Sequence, residues 1–220
     1  MRRLRILVVC CVVLALGLNF SWVQAFAVSQ VAPSCPASVT SPAATRVAAL
    51  FGATTSTPII TCPATPRFGL GATIGTTHIA PGLPSIIVLN PEGGASIDVT
   101  AHEWAHAEIA QRTSALHRTY RLPTWFDEGL AMQVDHRSAF SRPALVGLLQ
   151  KHPAPELSEI ASPGDFFVFN KEGNGTLHYA YARCVVGDWL TRNPDWVTRL
   201  EEIDPQRFGT HAERCQSGPD

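Results

Sequence analysis

The sequence predicts an α+β domain in which the strands come first along the chain and the helices follow. Runs rich in Thr, Ile and Val lie before residue 90, whereas longer stretches with helical spacing of apolar residues begin after residue 96. Pro and Gly residues separate these segments. Strands and helices that are segregated in this way form an α+β fold, since an alternating order would instead predict a parallel α/β sheet.

The N-terminus has the three parts of a secretory signal peptide. Residues 1–5 are basic, residues 6–18 are almost wholly apolar, and Val23-Gln24-Ala25 offers a cleavage site. The apolar run is shorter than the roughly 20 residues that a membrane-spanning helix needs. We therefore predict that residues 1–25 are removed near Ala25 and that the protein is exported, to the periplasm or out of the cell. An uncleaved membrane anchor is the alternative.

The rest of the chain has the size of one domain. Residues 26–41 form a short segment rich in Pro and Ser, and residues 42–220 are predicted to form a single folded unit. The formal net charge of the chain is −1, and the sequence has no run of like charges, no basic patch and no internal repeat. This composition argues against nucleic acid as a partner. After cleavage, we expect no contact with the membrane.

Turn and capping residues bound the individual segments. Ser41 and Gly52 delimit a predicted helix over residues 42–51, and Asn90-Pro91 closes a β-branched strand over residues 85–90. Further strands are predicted over residues 57–61 and 67–79, and further helices over residues 97–112, 123–131, 142–152, 176–191 and 194–203.

The cysteines agree with export. Two of the six lie in the signal segment, and Cys35, Cys62, Cys184 and Cys215 remain after cleavage. Four cysteines allow three pairings. We expect Cys35–Cys62 and Cys184–Cys215, each of which closes a loop of about 30 residues and stabilises the fold by about 3–4 kcal/mol in the chain-entropy model. The alternative for Cys184 is a buried free thiol.

His102-Glu103-Trp104-Ala105-His106 has the pattern H-E-x-x-H inside a stretch without Pro or Gly. Residues four apart lie on the same face of a helix, so His102 and His106 can bind one metal ion. Glu103 lies one step around the helix, where its carboxylate can take the proton of a water molecule that zinc has made acidic. The pattern therefore predicts a zinc metallopeptidase. The alternative is a helix with two buried, hydrogen-bonded histidines.

A catalytic zinc ion usually has a third protein ligand. One known arrangement uses a histidine six residues after the second histidine, but Arg112 stands at that position. Another uses the Asp of a Gly-Thr-x-x-Asp run. The segment Gly209-Thr210-His211-Ala212-Glu213 approaches this pattern but ends in Glu, and its surroundings do not favour a helix.

Glu128 is the third option for this ligand. It follows His106 by 22 positions and lies near the start of a helix for which Pro123 is a suitable first residue. A helix–loop–helix of this length can fold back to bring Glu128 to the metal, and Gly129 would allow a close approach of the two helices. The alternative is a solvated carboxylate that the helix dipole favours at this position.

The motif at residues 102–106, followed by Trp125-Phe126-Asp127-Glu128-Gly129-Leu130-Ala131, resembles the gluzincin zinc peptidases. It is most similar to their small, aminopeptidase-like branch, which is often called peptidase MA-like, over residues 86–190. The resemblance implies a zincin-like fold, in which a mixed β-sheet lobe precedes the motif helix and a mainly helical lobe follows it. It also implies one Zn²⁺ in the cleft between the lobes, with a peptide substrate along the edge strand of the sheet.

The resemblance also implies a tyrosine that donates a hydrogen bond to the oxyanion of the reaction. Tyr179 aligns best with this position, Tyr181 is the next candidate, and His178 could also donate a hydrogen bond. The alternative for Tyr179 is a place in the core of an amphipathic helix.

The resemblance thus implies hydrolysis of peptide bonds, with Glu103 as the base and Tyr179 at the oxyanion. The larger aminopeptidases of this group have a G-x-M-E-N type motif before the zinc helix, and its absence here favours an endopeptidase. The alternative function is a zinc-containing module that binds peptides without cleaving them, along a predicted edge strand over residues 86–90. The candidates for orienting the metal ligands are Asp98, Asp127 and Asp135. Five histidines lie outside any motif and are interpreted as surface or hydrogen-bonded residues rather than metal ligands: His78, His117, His136, His152 and His211.

Overall fold

The computed structural model describes residues 20–65, 74–91, 93–167 and 174–217. These residues form an α+β fold, as the sequence predicts, with the strands in the first half of the chain. The strands are β1 (Ile59–Thr61), β2 (Gly75–His78) and β3 (Ile86–Leu89). The α-helices are α1 (Phe20–Ser29), α2 (Ala37–Phe51), α3 (Ile97–Arg112), α4 (Ala115–Tyr120), α5 (Thr124–Ala131), α6 (Arg142–Leu149), α7 (Pro163–Phe166), α8 (Asn174–Arg192) and α9 (Gly209–Gln216). The 3₁₀ segments are Ser138–Phe140, Trp196–Glu202 and Pro205–Phe208.

The sheet is small and mixed. Its strand order is β1-β3-β2, with β1 parallel to β3 and β2 antiparallel to it. The prediction that residues 86–90 form an edge strand is therefore wrong, because β3 pairs on both sides and β2 lies at the edge. All four residues of β3 are buried, because alternate side chains of a strand point to opposite faces and both faces are covered. Ile86 packs in a cluster with Ala25 of α1, whereas Ile87 packs in a cluster with Val99 of α3. This two-sided burial explains why β3 is a continuous apolar run.

Helix α1 spans the position at which signal cleavage is predicted. Ala25 is fully buried, and the indole Nε1 of Trp22 donates a hydrogen bond to the Pro84 carbonyl at 2.9 Å. Residues 1–19, which include the basic and apolar parts of the predicted signal peptide, lie outside the described residues. Within the described part of the chain, no helix is long and apolar enough to cross a membrane. Cleavage near Ala25 therefore stays a prediction.

Helix α2 begins earlier than the predicted 42–51. Val39 N–H donates to the Pro36 carbonyl at 2.9 Å, so the first turn already exists before Pro42, which lies inside the helix. A proline at this place removes one helical hydrogen bond, and the buried apolar face of α2 in the main core compensates for the loss. The helix ends at Gly52, whose φ of 78° is left-handed, as the sequence predicts.

The predicted helices of the second half differ from the structure mainly at their ends. Helix α6 stops at Leu149 rather than at residue 152, because Pro153 disfavours the helical conformation of the residue before it. Helix α8 extends slightly beyond the predicted 176–191 at both ends. The predicted helix 194–203 is instead the 3₁₀ segment Trp196–Glu202, which is interrupted at Arg199, where φ is −118°.

Helix α9 was not expected from the sequence. Glycine near the start of a helix lowers its intrinsic stability, and Gly209 begins α9. The helix forms because its inner face packs on the main core, where Ala212 and Cys215 are buried. Tertiary packing therefore outweighs the weak local preference.

Gly129 permits a close approach, although its partner differs from the one predicted. A Cβ atom built on Gly129 would lie 2.6 Å from the carbonyl oxygen of Ala182 in α8. The sequence predicts a close approach of Gly129 to the motif helix, α3. The glycine thus allows α5 to pack against α8, and these two helices form the centre of the helical half.

Two disulfides connect distant parts of the chain, in the expected pairing. Cys35–Cys62 joins the segment before α2 to the end of β1, and Cys184–Cys215 joins α8 to α9. Residues 26–41, predicted as a short Pro- and Ser-rich segment, include the end of α1, Cys35 and the start of α2. Disulfides of this kind are typical of proteins that fold in an oxidising compartment.

Candidate metal centre

Helix α3 holds the H-E-x-x-H motif in the interior of the protein. Its N-terminus is capped by Ser96, whose side chain accepts a hydrogen bond from Val99 N–H. His102, Glu103 and His106 are only 6–8% exposed, although all three are polar. Buried polar groups of this kind need partners, because an unpaired one costs several kcal/mol, about 2–7 by transfer measurements. Their hydrogen-bond partners outside α3 come from α5 and β2.

Glu128 is brought to the two histidines by the turn from α3 through α4 into α5. Its Oε2 atom lies 3.2 Å from His102 Nε2 and 3.5 Å from His106 Nε2, and the two Nε2 atoms are 3.2 Å apart. Ligands at about 2.0–2.1 Å from one tetrahedral zinc ion lie about 3.3–3.4 Å from each other. The three donor atoms therefore have the mutual spacing of a zinc site, and they could hold one metal ion.

Asp127 orients the second histidine. Its Oδ1 atom lies 2.9 Å from His106 Nδ1, and its Oδ2 atom accepts a hydrogen bond from Arg118 at 3.3 Å. When Nδ1 donates its proton to a carboxylate, the lone pair of Nε2 is free to bind a metal. Asp127 is thus the one of the three candidate aspartates that contacts a motif histidine at hydrogen-bond distance.

The other two candidate aspartates have different partners. Asp98 accepts hydrogen bonds from Arg46 and from the main-chain N–H of His136. Asp135 is fully buried and is paired with Arg137, while His102 Nδ1 lies 3.9 Å from its Oδ2. That nitrogen has no hydrogen-bond partner among the described residues. Asp135 is therefore close to His102 without a direct hydrogen bond.

The charges of the site favour a cation. Burial alone would lower the pKa of His106, but the carboxylates of Asp127 and Glu128 outweigh this and raise its pKa well above the ordinary value. Burial alone would raise the pKa of Glu128, but His106 and His102 outweigh it and lower this pKa to about 2. Asp127 shows the same behaviour, since His106 and Arg118 overcome the effect of burial and depress its pKa. Two buried carboxylates thus stay ionised around the imidazoles and stabilise positive charge there.

Glu103 lines the same cleft as this donor group, and its carboxylate contacts the sheet. Its Oε2 atom accepts a hydrogen bond from the Thr77 hydroxyl of β2 at 2.7 Å. A Cβ atom on Gly75, two residues earlier on the same strand, would lie 2.9 Å from Glu103 Cγ. The carboxylate therefore lies between the motif helix and the edge strand, beside the three metal-ligand candidates.

The two candidate tyrosines have different surroundings. Tyr179 lies in α8 with its ring centroid 6.1 Å from that of His102, and it lines the same cleft. Burial and the nearby carboxylates of Glu128 and Glu103 raise the pKa of Tyr179, so its hydroxyl stays protonated and can donate a hydrogen bond. Tyr181 is fully buried, and its hydroxyl accepts a hydrogen bond from Gln216 in α9.

His178 and the five histidines outside any motif do not belong to the group of candidate metal ligands. His178 Nδ1 lies 2.9 Å from the Phe166 carbonyl oxygen, and His211 pairs with Asp188 at 2.6 Å. Glu213, the end of the alternative Gly-Thr-x-x-Glu run, is exposed on α9. In the described part of the chain, the group of His, Cys, Asp and Glu side chains that could share a metal ion consists of His102, His106 and Glu128.

The donor group opens into a large cleft. The cleft has a volume of about 2000 Å³, and its walls include Glu103, Thr77, Tyr179, Pro123 and Phe167. Thr77 and Arg118 were not identified from the sequence, because no local pattern marks a strand hydroxyl or an arginine of a short helix that reaches the site only after folding. Asp127 could be identified as a candidate because it precedes Glu128.

No protein-family model, curated protein or solved structure matches this chain at a significant level.

Proposed function

We propose that this protein is a zinc-dependent peptidase of the gluzincin type, with a zincin-like fold and one zinc ion in the cleft. The observation that carries the proposal is the convergence of His102, His106 and Glu128 at mutual distances of 3.2–3.5 Å. The adjacent Glu103 supports it, because a purely structural zinc site has four protein ligands and no need of a free carboxylate beside it.

His102, His106 and Glu128 would hold the ion, with Asp127 orienting His106. Bound zinc supplies Lewis acidity, which makes water more acidic and polarises the carbonyl group of a substrate. Glu103 accepts the proton of the attacking water on its carboxylate while the new C–O bond forms, and it passes this proton to the amine as the C–N bond breaks. The Tyr179 hydroxyl donates a hydrogen bond to the oxyanion, which is typically worth about 3–4 kcal/mol of barrier.

The size of the cleft supports a peptide or protein as the substrate. Pockets for small molecules usually measure about 300–1000 Å³, whereas this cleft measures about 2000 Å³. We favour internal bonds over N-terminal ones, since the sequence has no G-x-M-E-N type motif. The two disulfides and the predicted signal peptide support action outside the cytoplasm.

The test compares the wild-type protein with Glu103→Gln. Zinc content is measured by mass spectrometry of the metal, and hydrolysis is measured on a library of quenched fluorescent peptides. We expect about one zinc per chain in both proteins and cleavage in the wild type alone. Cleavage by both proteins at equal rates would overturn the role of Glu103.

Two further outcomes separate the alternatives. Zinc in both proteins with cleavage in neither would favour the module that binds peptides without cleaving them, and peptide binding by the Glu103→Gln protein would then be measured directly. A lack of zinc in both proteins would overturn the whole assignment.

A further inference from the structure

The orientation of Glu103 depends on an element that lies well before the motif in the sequence. A glutamate side chain has three rotatable bonds, and a base is effective only when one carboxylate oxygen is held towards the reacting proton. Helix α3 fixes the Cα atom of Glu103 but does not by itself select the position of the carboxylate. The contacts that do so come from β2.

Thr77 contacts Glu103 at two atoms. The Thr77 Oγ1 atom lies 2.7 Å from Oε2 of Glu103 and 2.8 Å from its main-chain oxygen. A hydroxyl group carries one proton, and an ionised carboxylate is a stronger acceptor than a main-chain carbonyl. The hydroxyl therefore donates to Oε2, and this hydrogen bond holds Oε2 against β2.

Gly75 provides the space for the other side of the carboxylate. Residues 75 and 77 lie on the same face of β2, since alternate residues of a strand share a face. A Cβ atom on Gly75 would lie 3.1 Å from Oε1 of Glu103 and 2.8 Å from Val99 Cγ1. The strand thus holds Oε2 with a hydroxyl and keeps the region beside Oε1 clear.

Resting on the proposed function, we propose that Thr77 is a positioning residue for the base, with Gly75 as its steric complement. The hydrogen bond to Oε2 directs Oε1 towards the reacting water. Edge strand β2 thereby has a role in proton transfer in addition to lining the cleft. A purely structural role, in which Thr77 only ties β2 to α3 through the main-chain oxygen of Glu103, is the competing explanation.

The test uses Thr77→Val, which keeps the shape and removes the hydroxyl, and Thr77→Ser, which keeps the hydroxyl. Thr61→Val is the matched control, because Thr61 is a buried threonine of the same sheet whose hydroxyl lies 3.4 Å from the main-chain oxygen of Ile87. We expect Thr77→Val to lower kcat by about 10- to 100-fold at unchanged KM. Thr77→Ser and Thr61→Val should stay within about threefold of the wild type.

The double variant Thr77→Val with Glu103→Gln separates positioning from structure. If Thr77 acts through Glu103, its loss should add no further decrease to the residual rate of Glu103→Gln. Zinc content and the thermal midpoint should be the same in Thr77→Val and Thr61→Val. A structural role would instead lower the zinc content or the midpoint of Thr77→Val, and its effects would add to those of Glu103→Gln.

The result for the wild type distinguishes the two levels of inference. A zinc-loaded wild type that cleaves no peptide would overturn the peptidase assignment and the role of Thr77 with it. A wild type that cleaves peptides, with an unchanged kcat in Thr77→Val, would overturn the positioning role alone.

Discussion

The Asp127 carboxylate contacts two side chains, since Oδ1 lies 2.9 Å from His106 Nδ1 and Oδ2 accepts a hydrogen bond from Arg118. This arrangement fixes which nitrogen of His106 carries the proton and keeps Nε2 available for a ligand bond. His106 and Arg118 together hold the pKa of this carboxyl group below its usual value, although burial alone would raise it. Asp127 therefore connects Arg118 to His106, one of the three residues that could hold a metal ion.

Asp127→Asn should weaken zinc binding by about 10- to 100-fold, which is the usual cost of losing a carboxylate that orients a metal-binding histidine. The zinc dissociation constant is measured by competition with a chromophoric chelator. Asp98→Asn is the control, because Asp98 is an ionised carboxylate near the start of the same helix that bonds to Arg46 instead. Equal zinc affinities in the two variants would contradict the orienting role of Asp127.

For single residues, the sequence predicts those site residues that lie close to one another along the chain. His102, Glu103 and His106 follow from the periodicity of one helix, and Glu128 follows from a short helix–loop–helix. The sequence left Asp98, Asp127 and Asp135 as equal candidates, because the choice depends on how α5 is rotated against α3. No sequence pattern marks Thr77, since its contact with Glu103 arises from the packing of a strand on a helix.

Among the elements, α8 connects the cleft to the C-terminal part of the protein. Tyr179 lines the cleft, Ala182 contacts Gly129 of α5, Cys184 forms a disulfide with α9, and Asp188 pairs with His211 of α9. The spacing of these residues along α8 distributes them over several faces of the helix. A change in the packing of α8 would therefore affect the position of Tyr179 as well as the stability of the fold.

Gly129→Ala should lower the free energy of unfolding by about 1–3 kcal/mol, because the new Cβ would lie 2.6 Å from the Ala182 carbonyl oxygen. Unfolding in urea, followed by circular dichroism, measures this change. Gly147→Ala in α6 is the control, since a Cβ there would meet nothing within 4 Å and should stabilise the helix by about 0.5–1 kcal/mol. Destabilisation of both variants to the same extent would rule out the helix–helix contact as the cause.

Asp188 makes the attachment of α9 dependent on pH. Burial alone would raise the pKa of Asp188, but hydrogen bonds from Arg214 and His211 outweigh it and lower this pKa to about 2. Because the folded pKa lies below the unfolded value of about 3.9, the stabilisation is complete above pH 4 and is lost as the pH falls towards 2. Asp188→Asn should therefore be less stable than the wild type at pH 6, with a difference that shrinks between pH 4 and pH 2. Asp195→Asn, which removes an exposed carboxylate of the same C-terminal region, should keep the dependence of the wild type.

The sequence predicts the elements where their caps are unambiguous. Gly52 ended α2 as expected, whereas Pro42 suggested a helix start that lies within the helix. Asn193-Pro194 predicts another start, but the segment there is a 3₁₀ helix that is interrupted at Arg199. For α2, the burial of its apolar face in the main core outweighs the local preference of Pro42, and no sequence pattern reports that balance.

For the whole molecule, the sheet is a middle layer between α1 on one side and α3 on the other. The α3 side carries the metal-site candidates, and the α1 side consists of apolar contacts such as those of Ala25 with Ile86 and Val88. The predicted cleavage near Ala25 would divide α1 and remove Trp22, whose indole bonds to Pro84. Export with cleavage at this position therefore has a structural cost that can be measured.

A protein that begins at residue 20 should be more stable than one that begins at residue 26, by about 2–4 kcal/mol if roughly two apolar side chains lose their burial. Urea unfolding of the two purified proteins measures the difference in the free energy of unfolding. The control is Ala43→Gly in each protein, which should lower that free energy by the same amount in both if the core around α2 is unchanged.

N-terminal sequencing of the exported protein then shows which form exists. Equal stabilities would mean that α1 contributes little and that cleavage after Ala25 leaves the sheet intact. A lower stability of the shorter form, together with an N-terminus before residue 20, would mean that α1 belongs to the folded protein and that processing near Ala25 does not occur.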